Sequence, residues 1–147
     1  MKTILLDIDY TLFCDITPRP YLKEFLDRLV EKYGVDNIYF YTGGNHKRIT
    51  EVCRIMYQDL NINKELIRNM NNYSLHVHNC PSVTTNKFGT IEYKCLHKAA
   101  EVLNVSFETI ILLDESPICH LPDQDKRIQA EGFDGTLEDK YLKNLEL

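Results

Sequence analysis

The sequence has no tryptophan, no CxxC pair, no cluster of basic residues and no apolar run of membrane-spanning length. Each absence removes a class of function. A spanning helix needs about 20 mostly apolar residues. The N-terminal MKTILLDIDY turns acidic where a signal peptide would need a longer apolar run and a small-residue cleavage site. A soluble, intracellular protein without a membrane partner is therefore expected, in the cytoplasm or the nucleus. The five cysteines (Cys14, Cys53, Cys80, Cys95 and Cys119) are odd in number and widely spaced, which speaks against a disulfide framework and against a cysteine-rich zinc module. With 17 Lys and Arg against 22 Asp and Glu, the net charge is −5, and no basic stretch offers a footprint for a phosphate backbone. Nucleic acid is disfavoured as a partner.

What is present is a chain of 147 residues, 44% hydrophobic and 27% charged. A domain of this size buries roughly 68–70% of the surface its unfolded chain exposes, so one domain over residues 1–147 is expected. KTILLDI (2–8) reads as a buried strand that ends in acid, carrying Asp7 and Asp9 at its carboxyl end. Pro20 suits the first turn of a helix preceded by Thr17 or Arg19. Leu22, Phe25, Leu26, Leu29, Val30 and Tyr33 follow at helical spacing, with Gly34 as C-cap. NIYFYT (37–42) reads as a second strand of sheet core, opening at Gly43-Gly44, and Asn45 can cap a helix to about Leu60 with Ile49, Val52, Cys53, Met56 and Tyr57 buried. The Asn-rich stretch 61–92 reads as a short helix and a small β excursion, in which LHVH and KFGTIEY are candidate hairpin strands. A helix from Tyr93 to about Leu103, a strand TIILLDES (109–116), an edge strand near 126–129 and a last helix over about 137–145 complete the pattern. Strands joined through helices imply an α/β fold with a mostly parallel central sheet, and ligands bound beyond the carboxyl ends of its strands.

At those ends stand DIDYT (7–11), TGG (42–44) and DES (114–116), with a lysine opening the helix before the last of them. Four acids, Asp7, Asp9, Asp114 and Glu115, converge with one cation. Such carboxylates repel unless a cation compensates them, and all-oxygen ligation suits a hard ion such as Mg²⁺. A neighbouring lysine and hydroxyl could hold the oxygens of a phosphoryl group. Kinase, phosphatase and phosphate binder all remain open on this pattern.

The residues themselves resemble a known family. DxDxT is met by Asp7, Asp9 and Thr11, a strand ending in Thr by Thr42, the Lys and Leu of YxKxL by Lys94 and Leu96 in EYKCL, and DxSP by Asp114, Ser116 and Pro117; Arg19-Pro20 before YLKEFL adds to the match. The chain resembles the haloacid-dehalogenase-like (HAD) superfamily of aspartate-nucleophile phosphatases. It is most similar to the branch of RNA polymerase II C-terminal-domain phosphatases, the NLI-interacting-factor-like group. The resemblance implies a three-layer α/β/α Rossmann-like fold and a Mg²⁺-dependent phosphomonoester hydrolase with an aspartyl-phosphate intermediate. It makes Asp7 the nucleophile, Asp9 the acid and base, and Thr42, Gly43 and Lys94 the phosphoryl-binding groups, with Lys98 as a fallback for Lys94. Asp7, the main-chain carbonyl of Asp9 and Asp114 would be the metal ligands. Glu115 stands where Asp or Asn is common, and either supports a metal-bound water or points away.

Two acids closing an apolar strand could equally face solvent, but all four landmarks in order favour the catalytic reading. Thr11 reads as a local loop-fixing residue and Asn45 as a helix cap. Tyr10 stands where Glu is usual in the branch and Gly in much of the superfamily; loop support or packing is expected of it, with stacking on substrate as the alternative. Only 51 residues separate Thr42 from Lys94, room for a small β insertion at about 73–92 as a reduced cap but not for a lid domain. The branch's use of such an insertion implies a protein serine/threonine phosphatase; the alternatives are a nucleotide or sugar phosphatase, or an inactive phosphate- or protein-binding module. A monomer or homodimer is expected. His76, His78 and Cys80 alternate and would share one face of a strand, but no fourth metal ligand accompanies them. His97, His120 and Cys119 read as ordinary helix and loop residues, and Cys14 as oxidisable only if exposed. Abundant Asn, Ile and Tyr point to an AT-rich genome, viral or parasitic.

Overall fold

The computed structural model describes residues 1–85, 91–118 and 121–147. In chain order the elements are β1 (Thr3–Leu6), β2 (Phe13–Cys14), β3 (Thr17–Pro18), α1 (Leu22–Tyr33), β4 (Ile38–Phe40), α2 (His46–Gln58) and α3 (Lys64–Tyr73). They continue as β5 (Val83–Thr85), β6 (Ile91–Tyr93), α4 (Leu96–Leu103), β7 (Ile110–Asp114), β8 (Arg127–Gln129) and α5 (Tyr141–Asn144). The central sheet is parallel throughout, in the order β4-β1-β7-β8. Two antiparallel hairpins, β2-β3 and β5-β6, stand apart from it.

The strand alternation sorts the core into two clusters, one on each face of the sheet. Ile4 and Leu6 of β1 and Leu113 of β7 pack with side chains of α1, α2, α3 and α5. Leu5, Ile110 and Leu112 pack with Leu96, Ala99 and Ala100 of α4. Residues buried on both faces explain why β1 is apolar without a polar alternation. Helices on both faces of a parallel sheet make this the expected three-layer α/β/α architecture.

Several boundaries differ from the sequence reading. Thr17-Pro18 forms a strand rather than a helix cap, and Pro20 precedes α1, which starts at Leu22 behind a left-handed Tyr21 (φ 66). Within α2, Ile55 is buried and Tyr57 is exposed, so the stripe drifts by a fraction of a turn. LHVH is not a strand: Leu75 makes a single bridge to Tyr41, and Asn79 then folds 76–80 into a turn by accepting from the His76 amide and donating to the Ser74 carbonyl. KFGTIEY falls partly outside the described residues, which include Ile91–Tyr93 as β6. Helix α4 starts at Leu96, so Lys94 lies in the link before it, and the last helix has only four residues. Cys119 and His120 lie outside the described residues.

The C-terminal tail is tied to the site through Arg19, which is buried. Its guanidinium grips Asp139 through Nε at 2.8 Å and Nη2 at 3.0 Å, and Nη1 donates to the carbonyls of Thr11 and Glu131. The rings of Tyr141 and Phe133 lie 4.5 and 5.4 Å from it. Arg19→Met keeps the stem but strands a carboxylate and two carbonyls; it is expected to destabilise the fold by about 3 kcal/mol, read as a lower urea midpoint with an unaltered slope.

Candidate active site

The register of β1 against β7 builds the centre of the site. Leu6 pairs with Leu113, so the next residues, Asp7 and Asp114, emerge side by side at the carboxyl edge. The Asp7 amide still donates to the Leu113 carbonyl at 2.9 Å, which extends the ladder under the carboxylate. Both acids are nearly buried, and Lys94 lies between them, its Nζ 2.6 Å from Asp7 Oδ1 and 2.7 Å from Asp114 Oδ2. Arg127 on the edge strand donates to the Lys94 carbonyl at 2.5 Å and holds the link that carries the lysine.

Thr11 joins the two acidic motifs. Its Oγ1 donates to Asp7 Oδ2 at 2.8 Å and accepts from the Glu115 amide at 3.1 Å. It therefore fixes more than its own loop. The preceding turn closes on the Ile8 carbonyl and requires a left-handed backbone at Tyr10 (φ 62). That conformation costs a non-glycine residue about 1–2 kcal/mol. Tyr10 is 58% exposed, and the support it gives the loop comes from its main chain, whose carbonyl accepts from the Phe133 amide at 2.7 Å.

Electrostatics separates the two buried acids. Burial pushes the Asp7 carboxyl from its ordinary 3.8 up to about 6, and the nearby Asp114 adds to the rise against the pull of Lys94 and Thr11. Burial also acts on Asp114, but Lys94 and the Ser116 amide and hydroxyl hold it below its ordinary value. Burial would lower Lys94; the two carboxylates outweigh it and keep the ammonium charged. Glu115 is raised by burial and by Asp114.

These groups border a cavity of about 280 Å³, shared by Asp7, Asp9, Gly43, Gly44, Glu115 and Arg127, with Ser82 and Glu92 contributed by the 73–92 segment and Tyr93 by the residue after it. Thr42 stands behind this wall: it is 1% exposed and its Oγ1 accepts from the Gly44 amide at 3.0 Å, so the glycines rather than the threonine border the cavity. Lys98 pairs with Glu101 at the surface and is not in the site. Asn45 caps α2 by accepting from the Lys47 amide.

The chemistry of the donor set fits a hard divalent cation. Carboxylate oxygens of Asp7, Asp114 and Glu115 lie within 4.8 Å of one another, and among the described residues they are the one such group of acids, histidines or cysteines. Glu115 thus joins the cluster rather than pointing away. The Asp9 carboxylate is instead paired with Arg48. The histidine pattern makes no such group: Cys80 is buried and donates to the Tyr41 hydroxyl, whereas the His46, His76 and His78 rings stand 5.6 and 6.0 Å apart in sequence around the turn. His97 stacks on Phe107, and Cys14 is half-buried in the first hairpin.

The family model of NLI interacting factor-like phosphatases (NIF) matches residues 2–147. The chain belongs to this family. No curated protein matches it significantly. As a NIF-family, HAD-like protein it carries a phosphatase fold, with an acidic cluster that could coordinate a divalent metal. Two site residues were not singled out from the sequence, Arg48 and Arg127. Arg48 left a signal: α2 begins with His46, Lys47 and Arg48 and has no acid in its first turn, which opposes the helix dipole unless a carboxylate answers from elsewhere. Arg127 left none.

Proposed function

We propose that this chain is a Mg²⁺-dependent phosphomonoesterase that works through an aspartyl-phosphate at Asp7, with phosphoserine or phosphothreonine in proteins as its substrate. One observation carries the reading: a buried carboxylate at a strand end, aligned by a threonine hydroxyl, in contact with a lysine and beside two further acids. Asp7, Asp114 and Glu115 supply the oxygens for the metal, with the main-chain carbonyl of Asp9 as a further ligand. Bound there, Mg²⁺ contributes charge neutralisation at the phosphoryl oxygens.

The chain's own groups do the rest. Thr11 holds Asp7 Oδ2, leaving Oδ1, now bound to Lys94, as the attacking atom. With a substrate bound, Lys94 transfers its hydrogen bonds toward the phosphoryl group, which the Gly43 amide also binds, while Thr42 holds the Gly43-Gly44 turn from behind. Asp9 protonates the leaving oxygen and later takes a proton from the attacking water.

The substrate class rests on the small cap. The 73–92 segment brings a single described hairpin, β5-β6, to the cavity, not a domain that would enclose a small molecule. The test is phosphate release from a phosphoserine peptide, a nucleoside monophosphate and a sugar phosphate. The peptide is expected to lead in kcat/KM by at least about tenfold, a difference of 1.4 kcal/mol in transition-state binding. A nucleotide or sugar phosphate in first place would replace the protein-phosphatase reading with a metabolic one.

A further inference from the structure

Arg48 makes more contacts than a surface ion pair needs. Its Nε donates to Asp9 Oδ1 at 3.0 Å, and Nη2 stands 2.8 Å from the same oxygen as an ion pair. Nη2 also donates to the Asp15 carbonyl at 2.7 Å, and Nη1 pairs with Glu51 one turn along α2. The guanidinium is thereby fixed from both sides, with the Arg48 side chain only 16% exposed. Asp9 is 46% exposed, and an ion pair with so wet a partner adds little to stability. What it does fix is geometry. Asp9 borders the same cavity as Asp7 and Gly43, and among the described residues its Oδ2 receives no hydrogen bond while Oδ1 holds both the Nε hydrogen bond and the Nη2 ion pair of Arg48.

We infer that Arg48 is a positioning residue for proton transfer, holding Asp9 by Oδ1 so that Oδ2 exchanges the proton with the leaving group and then with water. The inference rests on the phosphatase reading above. In the first displacement an Asp7 oxygen bonds to phosphorus as the bond from phosphorus to the leaving oxygen breaks, and the proton on Asp9 passes to that oxygen. In the second, the water oxygen bonds to phosphorus, its proton passes to Asp9, and the Asp7–phosphorus bond breaks. A carboxylate on a short side chain free to rotate would spend much of its time out of reach, and small misplacements of a reacting group cost about a hundredfold.

The leaving group provides the test. p-Nitrophenolate is a stable anion and departs without a proton, whereas a serine alkoxide does not. Arg48→Met is therefore expected to lower kcat/KM for a phosphoserine peptide by about tenfold to a hundredfold more than for p-nitrophenyl phosphate, mainly in kcat. Arg48→Lys, which keeps one donor to Asp9, recovers part of that ratio. Glu51→Gln, which keeps Arg48 but loosens its anchor, moves the ratio the same way by less, and decides the matter if Arg48→Met does not fold. Equal losses on both substrates would overturn the role and leave Arg48 a structural residue. A ratio shifting in favour of the peptide would overturn it too, because Arg48 would then be restraining Asp9 away from the reaction. Turnover of neither substrate by the wild-type protein would overturn the phosphatase reading and this role with it.

Discussion

Asp7→Asn is expected to reduce Mg²⁺-dependent release of p-nitrophenol from p-nitrophenyl phosphate by at least about 10³-fold, the scale of loss when one member of a cooperating catalytic set is removed. The substitution is close to isosteric, so the comparison is clean. Thr11 can still donate to the amide oxygen, which turns the amide nitrogen toward Lys94, and Lys94 gives up its bond to residue 7 but keeps the one to Asp114. It also removes one of two adjacent buried negative charges, so the variant should melt no lower than the wild type. EDTA should suppress the wild-type rate to the same floor, and added Mg²⁺ should restore it, because the acids that surround the reaction then lose and regain their counter-charge. A covalent readout separates nucleophile from metal ligand: acid quench during turnover should leave wild-type protein heavier by one phosphoryl group, on the peptide that contains Asp7, and leave Asp7→Asn unlabelled. Full activity in Asp7→Asn would end the aspartyl-phosphate reading. A well-folded wild type without turnover on any phosphomonoester, across a metal titration, would favour a phosphate- or protein-binding module.

How much of this was legible in the sequence follows from how local each feature is. Strands β1 and β7 are self-announcing, since TILL and IILLD are short apolar runs that end in acid, and parallel pairing then puts Asp7 beside Asp114. The helical stripe of α1 was readable because Leu22, Phe25, Leu26 and Leu29 keep strict spacing up to Gly34. Boundaries and link residues were less so. In the sequence Lys94 reads as helical because nothing in its neighbours marks the end of β6; the break comes from Tyr41, whose hydroxyl accepts from the Cys95 amide at 3.1 Å, and from Arg127, which binds the Lys94 carbonyl. Both contacts come from distant parts of the chain. Thr11 reads as a local hydrogen bonder in the sequence because its link to the Glu115 amide spans 104 residues. Arg19 belongs to the same class: the residue is visible in the Arg-Pro pair, but Asp139 and Glu131, which make it structural, lie in a tail whose sequence carries little periodicity. Asparagines explain the failed strand at 75–78, since Asn79 offers the backbone a local alternative to a ladder.

Lys94→Met tests the charge balance of the site independently of turnover. Methionine keeps most of the apolar stem and removes the ammonium, which lies 5.7 Å from the Tyr41 ring centroid, so the change is chiefly one of charge. It leaves Asp7 and Asp114 adjacent, nearly buried and without their cation. Removing one partner of such a buried arrangement costs about 3–5 kcal/mol, which for a domain of this size is a fall in melting temperature on the order of 10 °C. The pH dependence has a definite sign. Burial already raises Asp7 from 3.8 to about 6 against the pull of Lys94, and without the lysine that opposing pull is gone, so the carboxyl rises further. A carboxyl with a folded-state pKa above its unfolded value binds protons more tightly in the folded state, so stability is greatest in acid and is lost as pH rises through the folded pKa. The deficit of Lys94→Met relative to wild type should therefore be large above neutrality and shrink as pH falls below the raised Asp7 value, as read from thermal melts in EDTA across that range. Mg²⁺ at neutral pH should recover part of the deficit in the variant and less in the wild type, since only the variant lacks an internal cation between its acids. Catalysis should not recover with it: without the ammonium beside the phosphoryl group the rate is expected to fall by about 10²–10³-fold. A variant that melts like wild type at every pH would mean that the two acids are already protonated or hydrated in the native protein, and would remove the electrostatic basis for treating Asp7 as the nucleophile.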